Sequence, residues 1–466
     1  MDSHLHNSLF ATANFVQKAA SGKDFNVALL QKAEGSVFSF DRPILVEDRN
    51  ELEMKVPRSM TINEIRGSVG SRRNLELVDS SSGKETTITM KEWHKYFNSN
   101  NLDNQGKRDR LLSVSFEFAN TKLDSQVTSP AIVRKIDWID KVWPRHLKDM
   151  QIETVATCID SMMYPKVQKK CLMSVEGCFA DFKVEAGGSS LWFHVHEGTR
   201  TFWIVQPTDA NLKAFENWYL TRQTKGWSFF AENIPSQCQR FTLNAGQTLF
   251  IPSGWVYASY TNNDCISFTG NFLHSFAMVQ QLQVAIMEEN LDIPERLRFP
   301  FFVELQWYAL DRFVYCLTGK TFLDLPLEEK KRIRLEKGEN VDPNEEIFKF
   351  VSAGNFIPPE EPIHLTKAEI DGLKAIVMFL HQLPTTKKKI PVFIPNPSAL
   401  ILAIKTVVLE HKNDDPKLAA TGSYSLKWTE NDGINKKLIR KPWTQHLNSS
   451  MNNVPQKKGR TDSNAN

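Results

Sequence analysis

Between residues 169 and 272 the chain consists of short apolar segments separated by turn-forming residues. The segments are rich in aromatic and β-branched side chains, with Gly, Pro or Asn between them: CLMSVEG, SSLWFHVHEG, RTFWIVQP, QRFTLNAG, QTLFIPSGW and CISFTGNF. Many short strands joined by turns are typical of an antiparallel barrel or sandwich. The alternation of inward and outward side chains continues from Val256 to Ser259. The pattern therefore predicts a β-barrel in the middle of the chain.

The segment after the barrel predicts helices. Apolar residues recur there at helical spacing, namely Ile370, Leu373, Val377 and Leu380. Thr366 stands three residues before Glu369, which is the spacing of a capping box at a helix start. A second helix is predicted over Pro397–His411, and we expect the two helices to pack on each other as an appendage.

The 466 residues are enough for several structural units. Changes of pattern predict a mixed α/β segment over residues 1–125 and the β-barrel over 126–275. A helical region over 276–432 and a basic, disordered tail over 433–466 follow. Within the first segment, TITMKEWHKYF (Thr87–Phe97) predicts a helix. The fold class expected from these parts is α+β.

Composition excludes several classes of protein. No apolar run approaches the roughly 20 residues of a membrane span, so no membrane contact is expected. The 6 cysteines are scattered and form no C-x-x-C pair, which argues against disulfides and zinc modules. A net charge of +3 does not by itself indicate nucleic acid. Only the basic tail is expected to contact DNA, and weakly.

Two barrel segments carry candidate metal ligands. In GQTLFIPSGWVY, Gly246 and Gly254 permit turns around a short strand. In metal-binding barrels of the cupin type, an inward histidine usually stands where this chain has Tyr257. In WFHVHEG, His194 and His196 lie two residues apart and so face one side of a strand, as metal ligands can. Their apolar neighbours favour a packed strand instead, and we prefer that interpretation.

The barrel segments as a whole resemble the JmjC domain of histone lysine demethylases, in particular those of the lysine demethylase 2 group. The resemblance extends to the N-terminal segments GKDFNV, VGSRR, IDWIDKVWPRHLK and YPKVQKKCLMS, and to RFPFFVELQWYALDRFVYCLTG after the barrel. It implies a double-stranded β-helix, a jelly-roll barrel of the cupin type, with flanking helices and a C-terminal helical appendage. It also implies a protein of the nucleus.

Active members of this family are Fe(II)- and 2-oxoglutarate-dependent dioxygenases that demethylate lysine 36 of histone H3. Two histidines and a carboxylate hold their iron in a facial triad. The resemblance places these ligand positions on Lys183, Glu185 and Tyr257. A charged ammonium has no lone pair, and a phenol with a pKa near 10 is a poor ligand for Fe(II). Glu185 can still supply an oxygen, but one plausible ligand from three is not a site, so the iron triad is interpreted as lost.

The cosubstrate positions are altered as well. The resemblance places them on Leu112, Ala180, Phe193 and Arg200. The first three lack the hydrogen-bonding group that the family uses there, whereas Arg200 keeps a positive charge that can grip a carboxylate. Because iron also binds the cosubstrate, no retained cofactor is predicted.

A paired replacement explains how the triad can be lost. Lys183 and Glu185 lie two apart on a strand and point to the same side. We expect them to form an ion pair, with the Tyr257 hydroxyl as a third partner, because a buried unpaired charge is costly. The alternative is that Lys183 simply reaches solvent through the pocket mouth.

The function predicted from these residues is that of an inactive JmjC protein of chromatin. Its partners are expected to be the histone H3 tail or proteins of chromatin complexes, and it is expected to regulate transcription. The scattered cysteines do not build the CpG-binding zinc finger of the family. The alternatives are an active demethylase with an unusual site, a metal enzyme that uses His194 and His196, and a scaffold protein outside chromatin.

Overall fold

The computed structural model describes residues 14–23, 40–99, 108–144, 147–148, 162–234, 237–324 and 364–415. The predicted tail over 433–466 lies outside these residues. The division of the chain into four parts remains a prediction.

The described strands are short and belong to two sheets. In chain order they are β1 (Gln17–Ala19), β2 (Ile44–Val46), β3 (Asn74–Asp79), β4 (Lys84–Thr89), β5 (Leu112–Glu117), β6 (Lys170–Ser174), β7 (Phe179–Lys183), β8 (Ser190–Glu197), β9 (Thr199–Val205), β10 (Cys238–Asn244), β11 (Thr248–Ile251), β12 (Val256–Thr261) and β13 (Cys265–Phe272).

The described α-helices lie before, between and after the strands. They are α1 (Ile62–Val69), α2 (Met90–Phe97), α3 (Lys122–Gln126), α4 (Ala131–Ile136), α5 (Trp138–Lys141), α6 (Asp209–Lys225), α7 (Met278–Asn290), α8 (Phe302–Thr318), α9 (Lys367–Gln382) and α10 (Pro397–Glu410). None of the helices in the described ranges is long and apolar enough to cross a membrane.

The two sheets face each other and form the predicted barrel. The larger has 9 strands in the order β1-β2-β11-β8-β13-β6-β5-β3-β4, and the smaller has 4 in the order β10-β9-β12-β7. Side chains from both sheets meet in an interior cluster that includes Leu191, Phe193, Val195, Phe202, Ile204 and Tyr257. Because successive side chains alternate, the neighbouring residues of each strand point outward. The predicted antiparallel barrel with flanking helices is confirmed.

The N-terminal strands extend the larger sheet. Ser113 of β5 lies opposite Ser174 of β6, and β3 pairs with β5 on its other side. The outer face of this sheet packs in a second cluster, the outer cluster, which includes Trp93, Leu112, Val114, Trp192 and Phe268. Strands from both sides of residue 125 therefore share one sheet.

The smaller sheet is covered by a helix that the strand-rich pattern did not predict. Helix α6 begins after Thr208, whose hydroxyl accepts a hydrogen bond from the amide of Asn211. Phe215 and Trp218, three residues apart on α6, pack with Phe182 of β7. Apolar residues at this spacing are the signal that identifies the helix.

The helices after the barrel agree with the prediction. Thr366 and Glu369 form the reciprocal capping box at the start of α9, and α10 runs over Pro397–Glu410. Both helices pack in one cluster with α8. In contrast, α2 begins only at Met90, because Thr87–Thr89 complete strand β4.

The packing of β7 on α6 gives a prediction about stability. Phe182 is 2% exposed, so Phe182→Ala should lower the free energy of unfolding by about 3–5 kcal/mol. Leu220→Ala on α6 should change the free energy of unfolding by less than about 0.5 kcal/mol, because Leu220 is 48% exposed. Urea unfolding of the variants measures both values, and equal losses would contradict the packing described.

Candidate functional site

Strands β7 and β12 of the smaller sheet line one wall of the barrel interior. Tyr257 of β12 lies opposite Lys183 of β7, and Ser259 lies opposite Ala180. A register shift between these pairs brings both Ala180 and Lys183 to the interior side. Both residues are exposed, so the barrel is open to solvent along β7. We call this opening the mouth.

A turn after β7 places Glu185 behind the mouth. The chain forms a short 3-10 turn over Ala186–Gly188, in which Gly187 and Gly188 have positive φ values of 59° and 61°. A Cβ atom at position 188 would lie 2.8 Å from the Cα atom of Gln281 on α7. The same helix also stabilises the turn, because the Glu288 carboxylate on α7 accepts a hydrogen bond from the Gly187 amide at 2.9 Å.

Glu185 is the centre of a polar network. The Lys183 Nζ atom lies 2.8 Å from Glu185 Oε1, and the Tyr257 hydroxyl donates a hydrogen bond to the same oxygen. Asn271 of β13 donates to Glu185 Oε2 at 2.7 Å. The predicted Lys183–Glu185 contact and the third contact from Tyr257 are therefore confirmed.

The exposure of the two charged side chains differs. The Lys183 side chain is 53% exposed and the Glu185 side chain 13%. The ammonium also lies 5.3 Å from the centre of the Tyr257 ring, within the range of a cation–π contact. The Lys183 side chain thus lies at the mouth, and its ammonium points toward the Glu185 carboxylate. The alternative that Lys183 simply reaches solvent through the mouth is wrong, because its ammonium contacts Glu185 although half of its side chain is exposed.

The network holds its charges in their ionised forms. Burial alone would raise the pKa of the Glu185 carboxyl, but the Lys183 ammonium and the hydrogen bonds from Tyr257 and Asn271 lower it to about 2. Burial likewise opposes the charge on Lys183, yet the Glu185 carboxylate raises the pKa of that ammonium. Burial and the same carboxylate raise the pKa of the Tyr257 hydroxyl well above 10.0, so Tyr257 stays a neutral phenol.

The predicted cosubstrate positions are only partly brought together. Arg200 of β9 lies with its guanidinium carbon 5.6 Å from the centre of the Phe193 ring. Its Nη1 and Nη2 atoms donate to the hydroxyls of Ser259 and Ser174. Leu112 packs instead in the outer cluster. The sequence-based interpretation missed Ser174, Ser259 and Asn271. The only signal for them in the sequence is the alternation along their strands, which assigns them to the inward side.

His194 and His196 lie on the other side of β8. His194 is 1% exposed, and its Nδ1 atom lies 2.9 Å from the Thr248 hydroxyl. His196 accepts a hydrogen bond from the Met60 amide at 3.0 Å, and its ring contacts Phe268 of the outer cluster. Burial lowers the pKa of His194 to about 3. The packing role predicted for this strand is confirmed.

The donor set at Lys183, Glu185 and Tyr257 does not fit Fe(II). An ammonium has no lone pair, and a neutral phenol is a weak donor. Within the described ranges, no group of 3 or more His, Cys, Asp or Glu side chains is placed to share a metal ion. Arg200, in contrast, fits the far carboxylate of 2-oxoglutarate, because its Nε atom is buried without a hydrogen-bond partner among the described residues.

Comparison with known proteins identifies the barrel. A model of the JmjC domain, described as a hydroxylase domain, matches residues 170–272. The barrel is a JmjC domain. It is 33% identical over 87% of its length to lysine-specific demethylase 2A from Xenopus tropicalis. It is 31% identical over 90% of its length to lysine-specific demethylase 2B from Mus musculus. The predicted resemblance and the double-stranded β-helix fold are therefore confirmed.

These relatives are longer than the chain. It covers 42% of the demethylase 2A protein and 38% of the demethylase 2B protein. Lysine-specific demethylase 7A from Homo sapiens is 31% identical over 66% of the chain, which covers 30% of that protein. The chain thus spans less than half the length of these curated relatives.

The ion pair in the JmjC barrel gives a prediction about acid stability. Because the folded pKa of Glu185 is about 2 and its ordinary value is 4.5, the carboxylate stabilises the fold above pH 4.5. This contribution, on the order of 3 kcal/mol, is lost as the pH falls from 4.5 to 2. In Lys183→Met the folded pKa rises, so we expect a lower unfolding free energy at neutral pH and a smaller loss in acid.

Urea unfolding at several pH values tests this expectation. Lys213→Met is the matched control, because Lys213 pairs with Glu216 on α6 and its side chain is 70% exposed. Exposed pairs of this kind contribute little, so the control should follow the unsubstituted protein. Identical pH profiles for all three proteins would contradict the role given to Lys183.

Proposed function

We propose that the chain is a JmjC-domain chromatin protein that acts by binding rather than by catalysis. The observation that carries the proposal is the network around Glu185. Its carboxylate, the one strong metal donor among the three predicted triad positions, is engaged by Lys183, Tyr257 and Asn271. An iron ion at this place would have to displace an ammonium, and it would gain a single good ligand.

The proposed setting follows from the relatives. Their names describe lysine-specific demethylases, so we place this chain in the nucleus, on the histone H3 tail or on proteins of chromatin complexes, where it regulates transcription. Contact with DNA is proposed only for the basic tail over 433–466. We keep the four predicted parts as the organisation of the chain, with the barrel over 126–275 as the binding unit.

Iron content tests the loss of catalysis. Protein incubated with Fe(II) without oxygen and then desalted should retain no stoichiometric iron. With 2-oxoglutarate, oxygen and a histone H3 peptide methylated at lysine 36, it should form no succinate above a protein-free control.

Two other outcomes would replace the proposal. Stoichiometric iron together with peptide-dependent succinate would establish the active demethylase. Iron that is retained by the unsubstituted protein but lost on His194→Ala would support a metal site on β8, on the outer side of the larger sheet.

A double substitution tests whether the network occupies the metal position. Lys183→His with Tyr257→His would supply two imidazoles beside the Glu185 carboxylate, which together form a facial triad. We expect this variant to bind about one Fe(II) per chain and to lose it when Glu185→Ala is added.

The matched control carries the same two kinds of substitution on α6, Lys213→His with Tyr219→His, and should retain no iron. A folded double variant at positions 183 and 257 that binds no iron would contradict the assignment of these positions.

A further inference from the structure

The barrel has a second opening at the edge of the smaller sheet opposite the mouth. Within the described chain, β1 is the outermost strand of the larger sheet and β10 is the outermost strand of the smaller one. Between them lies a cavity of about 760 Å³, lined among others by Phe15, Leu45 and Phe241. Its volume is within the roughly 300–1,000 Å³ of ligand pockets. We call this space the rear cavity, and none of its lining residues belongs to the network around Glu185.

Strand β1 presents an unpaired backbone edge to the rear cavity. It runs parallel to β2, and the Gln17 amide donates to the Pro43 carbonyl at 2.8 Å. The Ala19 carbonyl accepts a hydrogen bond from the Glu47 amide at 2.9 Å. Successive residues of a strand direct their backbone groups to opposite edges, so the N–H and C=O groups of Lys18 point away from β2. No residue of the described ranges bonds to them.

A carboxamide from β10 already binds this edge at one end. The Gln239 Oε1 atom accepts a hydrogen bond from the Val16 amide at 2.9 Å and another from the Phe15 amide. A carboxamide has the same kinds of donor and acceptor as a peptide group. Gln239 therefore acts on β1 as the carbonyl of a neighbouring strand would, and Lys18 presents the next outward N–H. Further carboxamides line the cavity, namely those of Asn14, Gln17, Asn244 and Gln247.

The side chains of the rear cavity determine which peptide fits. The charged residues in its described lining are Lys18, Arg42 and Glu47, and all three are exposed. Neither cation has a carboxylate within 4.0 Å in the part of the chain that the structure describes. Phe15 and Phe241 are half-buried and supply apolar surface. Two cations and one carboxylate favour an acidic ligand, since complementary charge determines specificity.

We propose that the rear cavity binds an extended, acidic peptide segment of a partner protein as an added strand. The peptide backbone pairs with the free edge of β1 at Lys18, and an acidic side chain pairs with the cations Lys18 and Arg42. In strand addition, main-chain hydrogen bonds give affinity and side-chain pockets give specificity. A basic histone tail lacks the acidic side chain. The inference goes beyond the proposed function, because a partner bound here leaves the mouth free and does not depend on the state of the iron site.

Peptide selection tests the rear cavity. The probe is a phage-displayed library of short random peptides, selected on the full chain, and the enriched peptides are then synthesised and titrated by fluorescence anisotropy. We expect enrichment of peptides that carry Asp or Glu among β-branched residues, which favour the extended conformation. Replacement of the acidic residue by lysine in such a peptide should weaken binding about tenfold to a hundredfold, the size of one charge-assisted interaction.

Two substitutions at one position separate backbone from side chain. Lys18→Ala removes the charge and keeps the N–H, whereas Lys18→Pro removes both. Proline is tolerated in an edge strand where the N–H points away from the sheet, and Gln17 and Ala19 make the bonds to β2. We expect a several-fold loss of affinity for Lys18→Ala. Lys18→Pro should lose a further threefold to tenfold, about the value of one hydrogen bond.

Charge reversal provides a variant that does not alter the backbone. Lys18→Glu with Arg42→Glu changes two exposed side chains and should weaken binding at least about a hundredfold, because like charges then face each other. The matched control is Lys405→Glu with Lys412→Glu, two exposed lysines on α10 and just after it. It should bind the peptides as the unsubstituted protein does, and melting temperatures show that each variant is folded.

The outcomes separate this inference from the proposed function. A selection that enriches no peptide, equal affinity of the folded charge-reversed variant, or equal affinity of folded Lys18→Pro and Lys18→Ala would each overturn the rear cavity as a peptide site. A dimer in analytical ultracentrifugation that the charge reversal abolishes would assign the cavity to a second copy, and would overturn it too. Iron uptake with succinate formation would overturn the proposed function alone.

Discussion

The Glu185 carboxylate joins the two sheets of the barrel at its mouth. Lys183 and Tyr257 approach it from strands β7 and β12 of the smaller sheet, and Asn271 approaches it from β13 of the larger sheet. Each of these side chains satisfies a charge or a polar group that burial would otherwise penalise. The turn after Glu185 contains two glycines with positive φ, and a hydrogen bond from Gly187 to Glu288 joins it to α7. The open end of the barrel depends on this one shared carboxylate.

In a metal site, an ion would hold these strands together. Here an ammonium and two hydrogen-bond donors connect them through Glu185. Lys183 and Glu185 are compatible with the barrel interior only when both are present. Lys183 without Glu185 would be a cation that has lost its counter-ion, and Glu185 without Lys183 would be a buried carboxylate whose pKa is higher than it is beside the ammonium. The JmjC fold is thus kept, although the donor set no longer fits Fe(II), which illustrates that function resides in the site and not in the fold.

Local patterns in the sequence predicted most of the barrel strands and the helices that follow them. The triad positions rest on the family resemblance and stay a prediction. The alternation of the strands determines that Phe193 and His194 face opposite sides, and the Thr366–Glu369 spacing determines where α9 begins. Only the tertiary structure decided which side is the interior, because that depends on how the two sheets pack. It also brought Asn271, Ser174 and Ser259 to the charged residues, from strands far apart in the chain. A strand has the same period whether a polar residue faces water or a buried charge, and so the contacts of Arg200 with Ser174 and Ser259 became visible only in three dimensions.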